Sequence, residues 1–502
     1  MVDFRSICTG GLNAKGKCGA TVMTLYINLA ELLGTRIEQG LYRPGDRLPS
    51  VRALSLEHGV SLSTVQQAYR HLEDQGLATP KPKSGYFVPQ ARHQPALPMV
   101  SRMAQRPVDV SQWDQVLELI SRPPGQEGLL QLGRGRPDID SPTLKPLLRS
   151  LSRLSRRQDA TSLTYGCIYG HLGMREQISR LMLDSGCSLS PEEIIVTTGC
   201  HEALSAAIRA ICQPGDIVAV DSPSFHGVMQ ALKGFGMKAL ELPTDPITGI
   251  SLEALELALE QWPIKAIQLT PTCNNPQGYI MPDANKRALL ALAQRYDVAI
   301  IEDDVYGDLA YSYPRPRTIK SYDEDGRVLL CSSFSKTLAP GLRIGWIAPG
   351  RYLDRVLHMK YMGTGSTAQL PQLAITEYLE AGHYEPHLRR MRAQYQRGRD
   401  LMIDWVSRYF PAGTRVSRPQ GSFMLWIELP TGFDSQRLNR ELLPHAIQIA
   451  PGSIFSAAGK YRNCLRINYA AKPSASLEEA IRQTGVCVAR LLAEQQLAPE
   501  QD

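Results

Sequence analysis

One lysine of this chain lies among side chains that suit covalent chemistry. Ser333 and Ser335 precede Lys336, Thr337 follows it, and Arg343 comes shortly afterwards. A lysine amine that attaches to an aldehyde benefits from such neighbours, because hydroxyl groups and a guanidinium can hold a phosphate on the same ligand. The spacing therefore predicts a covalent site for a phosphorylated aldehyde, although an isolated Ser-x-Ser-Lys loop is more often a solvated turn.

Other candidate residues follow short apolar segments that are typical of buried strands. The segments 194–197, 217–220, 266–269, 298–301 and 328–330 lead in turn to Gly199 and Cys200, Phe225, Asn275, Asp303 and Lys336. Strand and helix patterns alternate here, which predicts an α/β fold with an open, largely parallel sheet wrapped by helices. Because ligands bind beyond the carboxyl ends of the strands in such sheets, we expect these residues to form one site.

The residue types at this expected site suit pyridoxal 5'-phosphate. Lys336 would hold the cofactor covalently, and Asp303 would keep its pyridine nitrogen protonated, so that the ring withdraws electrons. Tyr306 and Asn275 would hydrogen-bond the phenolic oxygen of the cofactor. Asp304 is a rival to Asp303, and the Asp-x-x-Tyr spacing favours Asp303.

A second group of residues would hold the phosphate. Gly199 and Cys200 stand at the start of a predicted helix, where backbone N–H groups bind anions. Ser333, Ser335 and Arg343 would complete this cradle. The chain therefore offers both a covalent anchor and a phosphate site within the same predicted sheet.

Three motifs lie on or beside these residues, namely Asn-Asn-Pro-Gln-Gly, Asp-Asp-Val-Tyr and Ser-Phe-Ser-Lys-Thr-Leu-Ala-Pro-Gly-Leu-Arg, and a fourth, Leu-Arg-Ile-Asn-Tyr, spans residues 465–469. With them, residues 129–492 resemble the fold-type I aminotransferases, which implies a large mixed, mostly parallel sheet and a smaller C-terminal subdomain. The resemblance implies that Arg466 holds a substrate carboxylate. It also implies that Tyr165 reaches the phosphate across a dimer interface, and Tyr169 is close enough to be an alternative. Phe225 replaces the tyrosine that usually stacks on the cofactor, which keeps the stacking and loses a hydroxyl.

The N-terminal part follows a different pattern. Apolar residues at helical spacing predict a first helix, a second helix is expected over residues 51–58, and Ser61 can cap a third. The last two helices have the spacing of a helix-turn-helix, and a basic, glycine-containing hairpin follows. The pattern predicts a winged helix-turn-helix over residues 23–89, preceded by a disordered extension over residues 1–22. Helix-turn-helix geometry also occurs in proteins that bind no DNA.

Three motifs of this winged helix-turn-helix decide between these interpretations: Gly-x-Tyr-x-Pro-Gly-Asp-x-Leu-Pro-Ser-Val-Arg, Val-Ser-x-Ser-Thr-Val-x-x-Ala-Tyr-x-x-Leu and Ser-Gly-Tyr-Phe-Val. They resemble the DNA-binding domain of GntR-family regulators. The resemblance implies that the duplex is contacted by Arg52, Ser61, Ser63, Thr64, Gln66, Lys83 and Gly85. In this assignment Arg52 and the hydroxyl groups contact phosphates of the DNA, and Gln66 contacts a base edge. Lys83 and Gly85 place the wing against the DNA backbone.

The whole layout resembles the MocR/GabR-like transcription regulators, with a linker over residues 90–128 and the aminotransferase-like domain over residues 129–495. The resemblance implies a cytoplasmic homodimer that binds a double-stranded DNA operator, with an exchange of domains between partners as one arrangement. The aminotransferase-like domain would sense a small amino compound or pyridoxal phosphate itself. The alternative is a catalytically active aminotransferase with a fused DNA-binding domain, because no expected catalytic residue is missing.

Composition limits the remaining classes of function. A chain of 502 residues exceeds what one hydrophobic core usually holds, so two or more domains are expected. The ten cysteines form no Cys-x-x-Cys pair and the ten histidines show no metal-ligand spacing, which predicts reduced thiols and no metal site. The apolar runs are too short for a transmembrane helix, so no membrane partner is expected.

Overall fold

The chain forms two compact units, the first up to residue 94 and the second from residue 95 onward. The computed structural model describes residues 25–74, 76–81, 84–89, 95–100, 106–121, 128–156 and 164–497. The predicted extension over residues 1–22 and Lys83 of the predicted wing lie outside the described residues. Across the described part of the chain, no helix is both long enough and apolar enough to span a membrane.

The first unit contains three helices and a two-stranded hairpin. They are α1 (Leu25–Glu38), α2 (Val51–His58), α3 (Leu62–Asp74), β1 (Thr79–Lys81) and β2 (Gly85–Phe87). The Ser50 hydroxyl caps α2 by accepting from the Ala53 N–H at 3.1 Å. Gly59 ends α2 in the left-handed region, with φ of 64°. The hydroxyl of Ser61 caps α3 through the Thr64 N–H at 3.1 Å, as the sequence predicts.

Tyr69 is at the centre of the core of this unit. Its side chain is fully buried, and its ring stacks on that of Tyr86 with 4.2 Å between ring centres and 3° between ring planes. Its hydroxyl donates to the Pro49 carbonyl oxygen. This one residue of α3 therefore connects the helix-turn-helix to β2 and to the segment before α2.

We expect Tyr69→Ala to lower the free energy of unfolding of the first unit by about 3–5 kcal/mol, because it leaves a cavity where an aromatic ring was packed. Tyr69→Phe keeps the ring and loses one hydrogen bond, so its expected cost is about 1 kcal/mol. Urea unfolding followed by circular dichroism measures both values. Leu56→Ala is the control, because Leu56 on α2 is 90% exposed and its loss should change little. Equal stability of Tyr69→Ala and Leu56→Ala would contradict this account of the core.

The second unit begins with elements that lead into a large sheet. In chain order they are α4 (Trp113–Ser121), β3 (Leu130–Gln131), α5 (Lys145–Ser155), α6 (Leu172–Asp184), β4 (Ile195–Thr197), α7 (Cys200–Ile211), β5 (Ile217–Ser222), α8 (His226–Gly234), β6 (Lys238–Asp245) and β7 (Gly249–Ile250). Helix α4 lies within the predicted linker, and its Val116 and Leu119 pack against a cluster that includes Trp426, Ile454 and Phe455.

The remaining elements complete this sheet and add a smaller one. They are α9 (Leu252–Gln261), β8 (Ile264–Leu269), α10 (Asp283–Arg295), β9 (Ala299–Asp303), β10 (Val328–Ser333), β11 (Gly345–Ala348), α11 (Leu353–Gly363), α12 (Gln369–Glu380), α13 (Tyr384–Tyr409), β12 (Arg415–Val416), β13 (Met424–Glu428), α14 (Ser435–Leu442), β14 (Ile447–Gln448), β15 (Ala450–Pro451), β16 (Cys464–Asn468) and α15 (Ala475–Leu497).

The large sheet has eight strands in the order β4-β11-β10-β9-β8-β5-β6-β7. The strands from β10 to β6 are parallel, whereas β11 runs antiparallel to both of its neighbours and β7 antiparallel to β6. The central strands β5, β9 and β10 are buried along their whole length, as parallel strands covered by helices on both faces must be. The predicted large mixed sheet is therefore confirmed.

The smaller sheet has the antiparallel order β12-β13-β16-β15 and corresponds to the predicted C-terminal subdomain. It places Arg466 on β16, opposite Trp426 of β13 and Ala450 of β15. The predicted architecture, an α/β fold with a large mixed sheet and a smaller C-terminal sheet behind an N-terminal helix-turn-helix, is confirmed in both parts.

Candidate cofactor and ligand site

A cavity of about 220 Å³ lies beyond the carboxyl ends of β5, β8, β9 and β10. It is lined by Leu119, Ile120, Gly133, Arg134, Gly135, Arg136, His201, Phe225, His226, Asn275, Tyr306, Lys336 and Arg466. Five of these residues were singled out from the sequence: Phe225, Asn275, Tyr306, Lys336 and Arg466. The first four follow strands of the large sheet, as the rule for open parallel sheets predicts, and Arg466 comes from the smaller sheet.

Lys336 presents its amine to this cavity. Its Nζ donates to the carbonyl oxygen of Gly135 at 2.7 Å and lies 5.9 Å from the centre of the Tyr306 ring. Burial, followed by the charge of Arg466, lowers the pKa of the Lys336 amine to about 8. A larger share of this amine is therefore neutral near physiological pH than of an exposed lysine, which is the form that attacks a carbonyl carbon.

Asp303 is the last residue of β9 and is buried. Its Oδ1 accepts from the Val305 N–H at 3.3 Å and from the Cys200 thiol at 3.6 Å. Burial raises the pKa of the Asp303 carboxyl to about 6. The rival carboxylate of Asp304 is already in an ion pair with Arg315, so it is engaged elsewhere. This difference favours Asp303 as the partner of a cationic ring nitrogen.

Arg466 reaches the same cavity from the smaller sheet. Its Nη1 donates to the Asn275 Oδ1 at 2.9 Å, and its Nη2 donates to the Gly133 carbonyl oxygen at 2.5 Å. Burial lowers the pKa of the guanidinium to about 10. Among the residues that the structure describes, none accepts a hydrogen bond from its buried Nε. The guanidinium therefore retains donor capacity for an anionic ligand.

The residues predicted to hold a phosphate lie close together at the start of α7. Arg343 has φ of 52°, and its guanidinium donates to the Ser335 hydroxyl at 3.3 Å and to the Thr198 carbonyl at 3.1 Å. Gly199 precedes α7 with φ of 79°, and a Cβ atom there would lie 2.4 Å from the Arg343 Nη2. The Ser335 N–H donates to the Ser333 hydroxyl at 3.4 Å. Hydroxyls, a guanidinium and a helix N-terminus thus converge in the way that anion sites require.

Phe225 stands between two histidines that the sequence analysis missed. Its ring centre lies 5.6 Å from that of His201 and 4.7 Å from that of His226. Burial lowers the pKa of both imidazoles, that of His226 well below its ordinary value. Both histidines are therefore neutral at physiological pH. The sequence does contain a sign of both histidines. His201 directly follows Cys200 and His226 directly follows Phe225, and both preceding residues were predicted to lie at the site.

The sequence analysis also missed a segment that follows β3, the alternating Gly133-Arg134-Gly135-Arg136. All four residues line the cavity. The sequence could have indicated this segment, because two glycines alternate with two arginines directly after a short strand. Glycines allow the backbone to approach a ligand or another segment closely.

Tyr165 does not line this cavity. It is 98% exposed, and the alternative Tyr169 is half-buried, with the Arg175 guanidinium 5.8 Å from the centre of its ring. The expected role of Tyr165 depends on a second copy of the chain, so it stays a prediction.

In the described part of the chain, no cluster of three or more His, Cys, Asp or Glu residues could hold a metal ion.

The predicted DNA contacts lie on the surface of the first unit. Thr64 is half-buried, and the other described residues of this set are exposed, namely Arg52, Ser61, Ser63, Gln66 and Gly85. The Ser61 hydroxyl lies 2.7 Å from that of Ser63 and 2.8 Å from that of Thr64, so the three hydroxyls form one group at the start of α3. The polar side chains of this helix start are therefore available to a partner.

Known proteins resemble both parts of the chain. Residues 25–88 match the bacterial regulatory proteins of the gntR family, and residues 127–483 match the aminotransferases of class I and II. The uncharacterized HTH-type transcriptional regulator YjiR of Escherichia coli (strain K12) is 56% identical over 94% of this chain and 100% of its own length. A second such regulator of that strain, YdcR, is 38% identical over 92% of this chain and 98% of its own.

Solved structures resemble the second part. LysN, an alpha-aminoadipate aminotransferase from Thermus thermophilus complexed with N-(5'-phosphopyridoxyl)-L-leucine, superposes with a TM-score of 0.69 at 27% identity. The similarity covers 76% of this chain and 95% of LysN. The chain therefore belongs to the class I and II aminotransferase family and, within it, to the HTH-type transcriptional regulators that join a GntR-family DNA-binding domain to an aminotransferase domain.

Proposed function

We propose that this protein is a MocR/GabR-like transcription regulator whose aminotransferase-like domain binds pyridoxal 5'-phosphate at Lys336 and senses an amino compound or the cofactor itself. Two observations together support this proposal most. Lys336, Asp303 and Arg343 lie at one site, and the N-terminal part of the same chain matches the gntR family. The full-length relatives are named transcriptional regulators, which favours regulation over the alternative of a working aminotransferase.

The residues around the cavity fit pyridoxal phosphate. The cofactor supplies an aldehyde and an electron-withdrawing ring. The neutral amine of Lys336 would bind the aldehyde carbon, and Asp303, whose carboxyl is buried, would hold the proton of the ring nitrogen. Asn275 and Tyr306 would donate to the phenolic oxygen. The solved LysN complex, which contains a phosphopyridoxyl compound, is consistent with this assignment.

The phosphate would lie in the cradle formed by Gly199, Cys200, Ser333, Ser335 and Arg343. The close approach of Gly199 to Arg343 supports this position, since any side chain at residue 199 would displace the guanidinium. Phe225 would cover one face of the ring, and Arg466 would bind the carboxylate of an amino acid. Tyr165 of a second copy would complete the phosphate site in a homodimer.

The DNA-binding part would act on a double-stranded operator. Arg52 and the hydroxyls of Ser61, Ser63 and Thr64 would contact phosphates, Gln66 a base edge, and Lys83 and Gly85 would place the wing. The regulator would work as a cytoplasmic homodimer, with an exchange of domains between the partners. An amino compound that binds at Lys336 would change the equilibrium between two forms of the dimer that differ in DNA affinity.

This proposal is tested by selecting genomic DNA fragments with the full-length, cofactor-loaded protein and sequencing them. We expect a small set of fragments with a shared pair of half-sites, and we expect amino compounds to change their affinity in fluorescence anisotropy. Binding without any sequence preference at physiological salt would contradict a regulatory role. Repeated turnover of an amino donor with a 2-oxo acid would instead support the aminotransferase alternative.

The acidity of Lys336 gives a prediction about cofactor attachment. Because only the neutral amine attacks the aldehyde, the rate of attachment to cofactor-free protein should rise with pH and level off above about 8. Stopped-flow absorbance at a series of pH values measures this rate. In Arg466→Gln the midpoint should move to higher pH, since Arg466 is one of the cations that lower the pKa of Lys336. If the attachment rate of the unsubstituted protein instead reached half its maximum at the pH where an exposed lysine titrates, burial would not lower the pKa of Lys336.

A further inference from the structure

Leu62, the first residue of α3, is an apolar side chain on a polar surface. It is 49% exposed and is not one of the residues that form the described core of the first unit, whereas Val65 and Tyr69 of the same helix are fully buried there. Its chain neighbours Ser61 and Ser63 are exposed as well, and both are predicted DNA contacts. The role of Leu62 therefore lies in what this surface binds rather than in the core of the unit.

The hydroxyl groups beside Leu62 have little capacity to distinguish bases. The Ser61 oxygen accepts from the Thr64 N–H at 3.1 Å, and it lies 2.7 Å from the Ser63 hydroxyl and 2.8 Å from the Thr64 hydroxyl. A hydroxyl has one hydrogen and two lone pairs, so Ser61 accepts from one neighbouring hydroxyl, donates to the other and is then saturated. Among these three described hydroxyls, one hydrogen therefore remains free, which suits a contact with a phosphate oxygen rather than a choice between bases.

The charges of α3 limit which bases its first turns contact. Residues 61–72 contain no Asp or Glu, so this part of the helix does not repel the DNA backbone. Within the same residues Arg70, which is exposed, is the only Lys or Arg, and it lies two turns after Leu62. Because guanine is most often recognised by Arg or Lys in the major groove, the start of α3 has no side chain that suits guanine.

The side chain of Leu62 suits one group of the major groove. Leucine neither donates nor accepts hydrogen bonds, so packing it on the polar edge of guanine, adenine or cytosine would remove water from that edge without replacing its hydrogen bonds. The 5-methyl group of thymine is the apolar group that base edges present in the major groove. A half-exposed leucine placed there buries apolar surface on both partners.

Gln66 lies on the same side of α3 as Leu62. The two residues are four positions apart and both are exposed, so their Cβ atoms are about 5–6 Å apart on one face of the helix. Base pairs follow one another at about 3.4 Å, so the two side chains are spaced to contact neighbouring base pairs. A glutamine amide, which has a donor and an acceptor, matches the N6 and N7 atoms of adenine. Both residues therefore favour A·T base pairs.

We infer that Leu62 is a specificity-determining residue that packs on the 5-methyl group of a thymine, and that Leu62 and Gln66 together give each operator half-site a core of A·T base pairs. The hydroxyls of Ser61, Ser63 and Thr64 position α3 on the backbone, and the leucine and the glutamine distinguish the bases. This inference rests on the proposed function, because it places α3 in the major groove of an operator.

The test uses the full-length, cofactor-loaded protein and the genomic fragments that it selects. Each thymine of a half-site is replaced in turn by 2'-deoxyuridine, which removes the 5-methyl group and keeps every hydrogen-bonding group of the base. At one thymine position we expect the affinity to fall about fourfold, and about fifteenfold when both half-sites carry the replacement, because each contact loses one buried methyl group. Fluorescence anisotropy at a fixed salt concentration measures these affinities.

Variants assign the effect to Leu62. Leu62→Ala should bind the thymine and deoxyuridine operators equally, because the side chain that contacts the methyl group is removed. Leu62→Arg should exchange the preferred base pair at that position from A·T to G·C, since an arginine side chain donates to guanine. Leu41→Ala is the matched control, because Leu41 lies between α1 and α2, is 67% exposed and is not a predicted DNA contact, so it should keep the difference between the two operators. Circular dichroism shows whether the variants are folded.

The outcomes separate this inference from the proposed function. If deoxyuridine is tolerated at every thymine, if the cores of the selected half-sites are G·C pairs, or if Leu62→Ala and Leu41→Ala behave alike, the contact with thymine is overturned and the proposed function stands. The same conclusion follows if Leu62→Ala weakens binding to the thymine and deoxyuridine operators by one common factor, which is the result expected of a contact within the protein. If the full-length protein selects no fragments, both this inference and the regulatory role are overturned.

Discussion

Replacing Lys336 by alanine should abolish the covalent retention of pyridoxal phosphate. The amine of Lys336 lies in the cavity with Tyr306 and Asn275, and its lowered pKa favours the neutral form that binds a carbonyl. After borohydride reduction, mass spectrometry should find the cofactor attached to the unchanged protein and absent from Lys336→Ala. The visible absorption band of the loaded protein should be lost as well.

Two further variants make this result specific. Lys336→Arg keeps a positive charge and donor groups but cannot attach to the aldehyde, so it should also fail to retain the cofactor. Lys233→Ala removes a lysine of α8 that does not line the cavity and should retain the cofactor fully. A covalent adduct that persists in Lys336→Ala would show that another amine carries the cofactor, and the assignment of Lys336 would be wrong.

Residues 23–89 alone should bind an operator with two half-sites at least about a hundredfold more weakly than the full-length protein. These residues contain seven Lys or Arg against six Asp or Glu, so a single copy offers little net attraction to DNA. The full chain would present two copies in one dimer, which makes the second contact intramolecular. Fluorescence anisotropy with a labelled operator measures both affinities at the same salt concentration.

The isolated segment is a fair comparison, because the first unit has a hydrophobic core of its own around Tyr69 and Leu72. Circular dichroism would show whether it is folded. As a control, scrambling one half-site should bring the affinity of the full-length protein close to that of the isolated segment. If the isolated segment binds the intact operator as tightly as the full-length protein, two-site binding by a dimer is excluded as the source of affinity.

The sequence by itself determined the features that depend on local spacing. The two helices of the helix-turn-helix were predicted with their caps at Ser50 and Ser61, because a hydroxyl before a helix can bind the N–H three residues later. The strand-end residues Asn275, Tyr306 and Lys336 were predicted to share a site, because the carboxyl ends of parallel strands meet at one edge of a sheet. Each of these arguments uses residues close together in the chain or a rule that holds for every sheet of this kind.

Only the tertiary structure decided which other residues complete the site. The contact of Lys336 with Gly135 joins residues 201 positions apart, and that of Arg466 with Gly133 joins residues 333 positions apart. Such contacts depend on how the smaller sheet and the segment after β3 pack against the large sheet, and no local spacing records that packing. For the same reason the sequence did not indicate that Arg134 lies between α4 and the cavity.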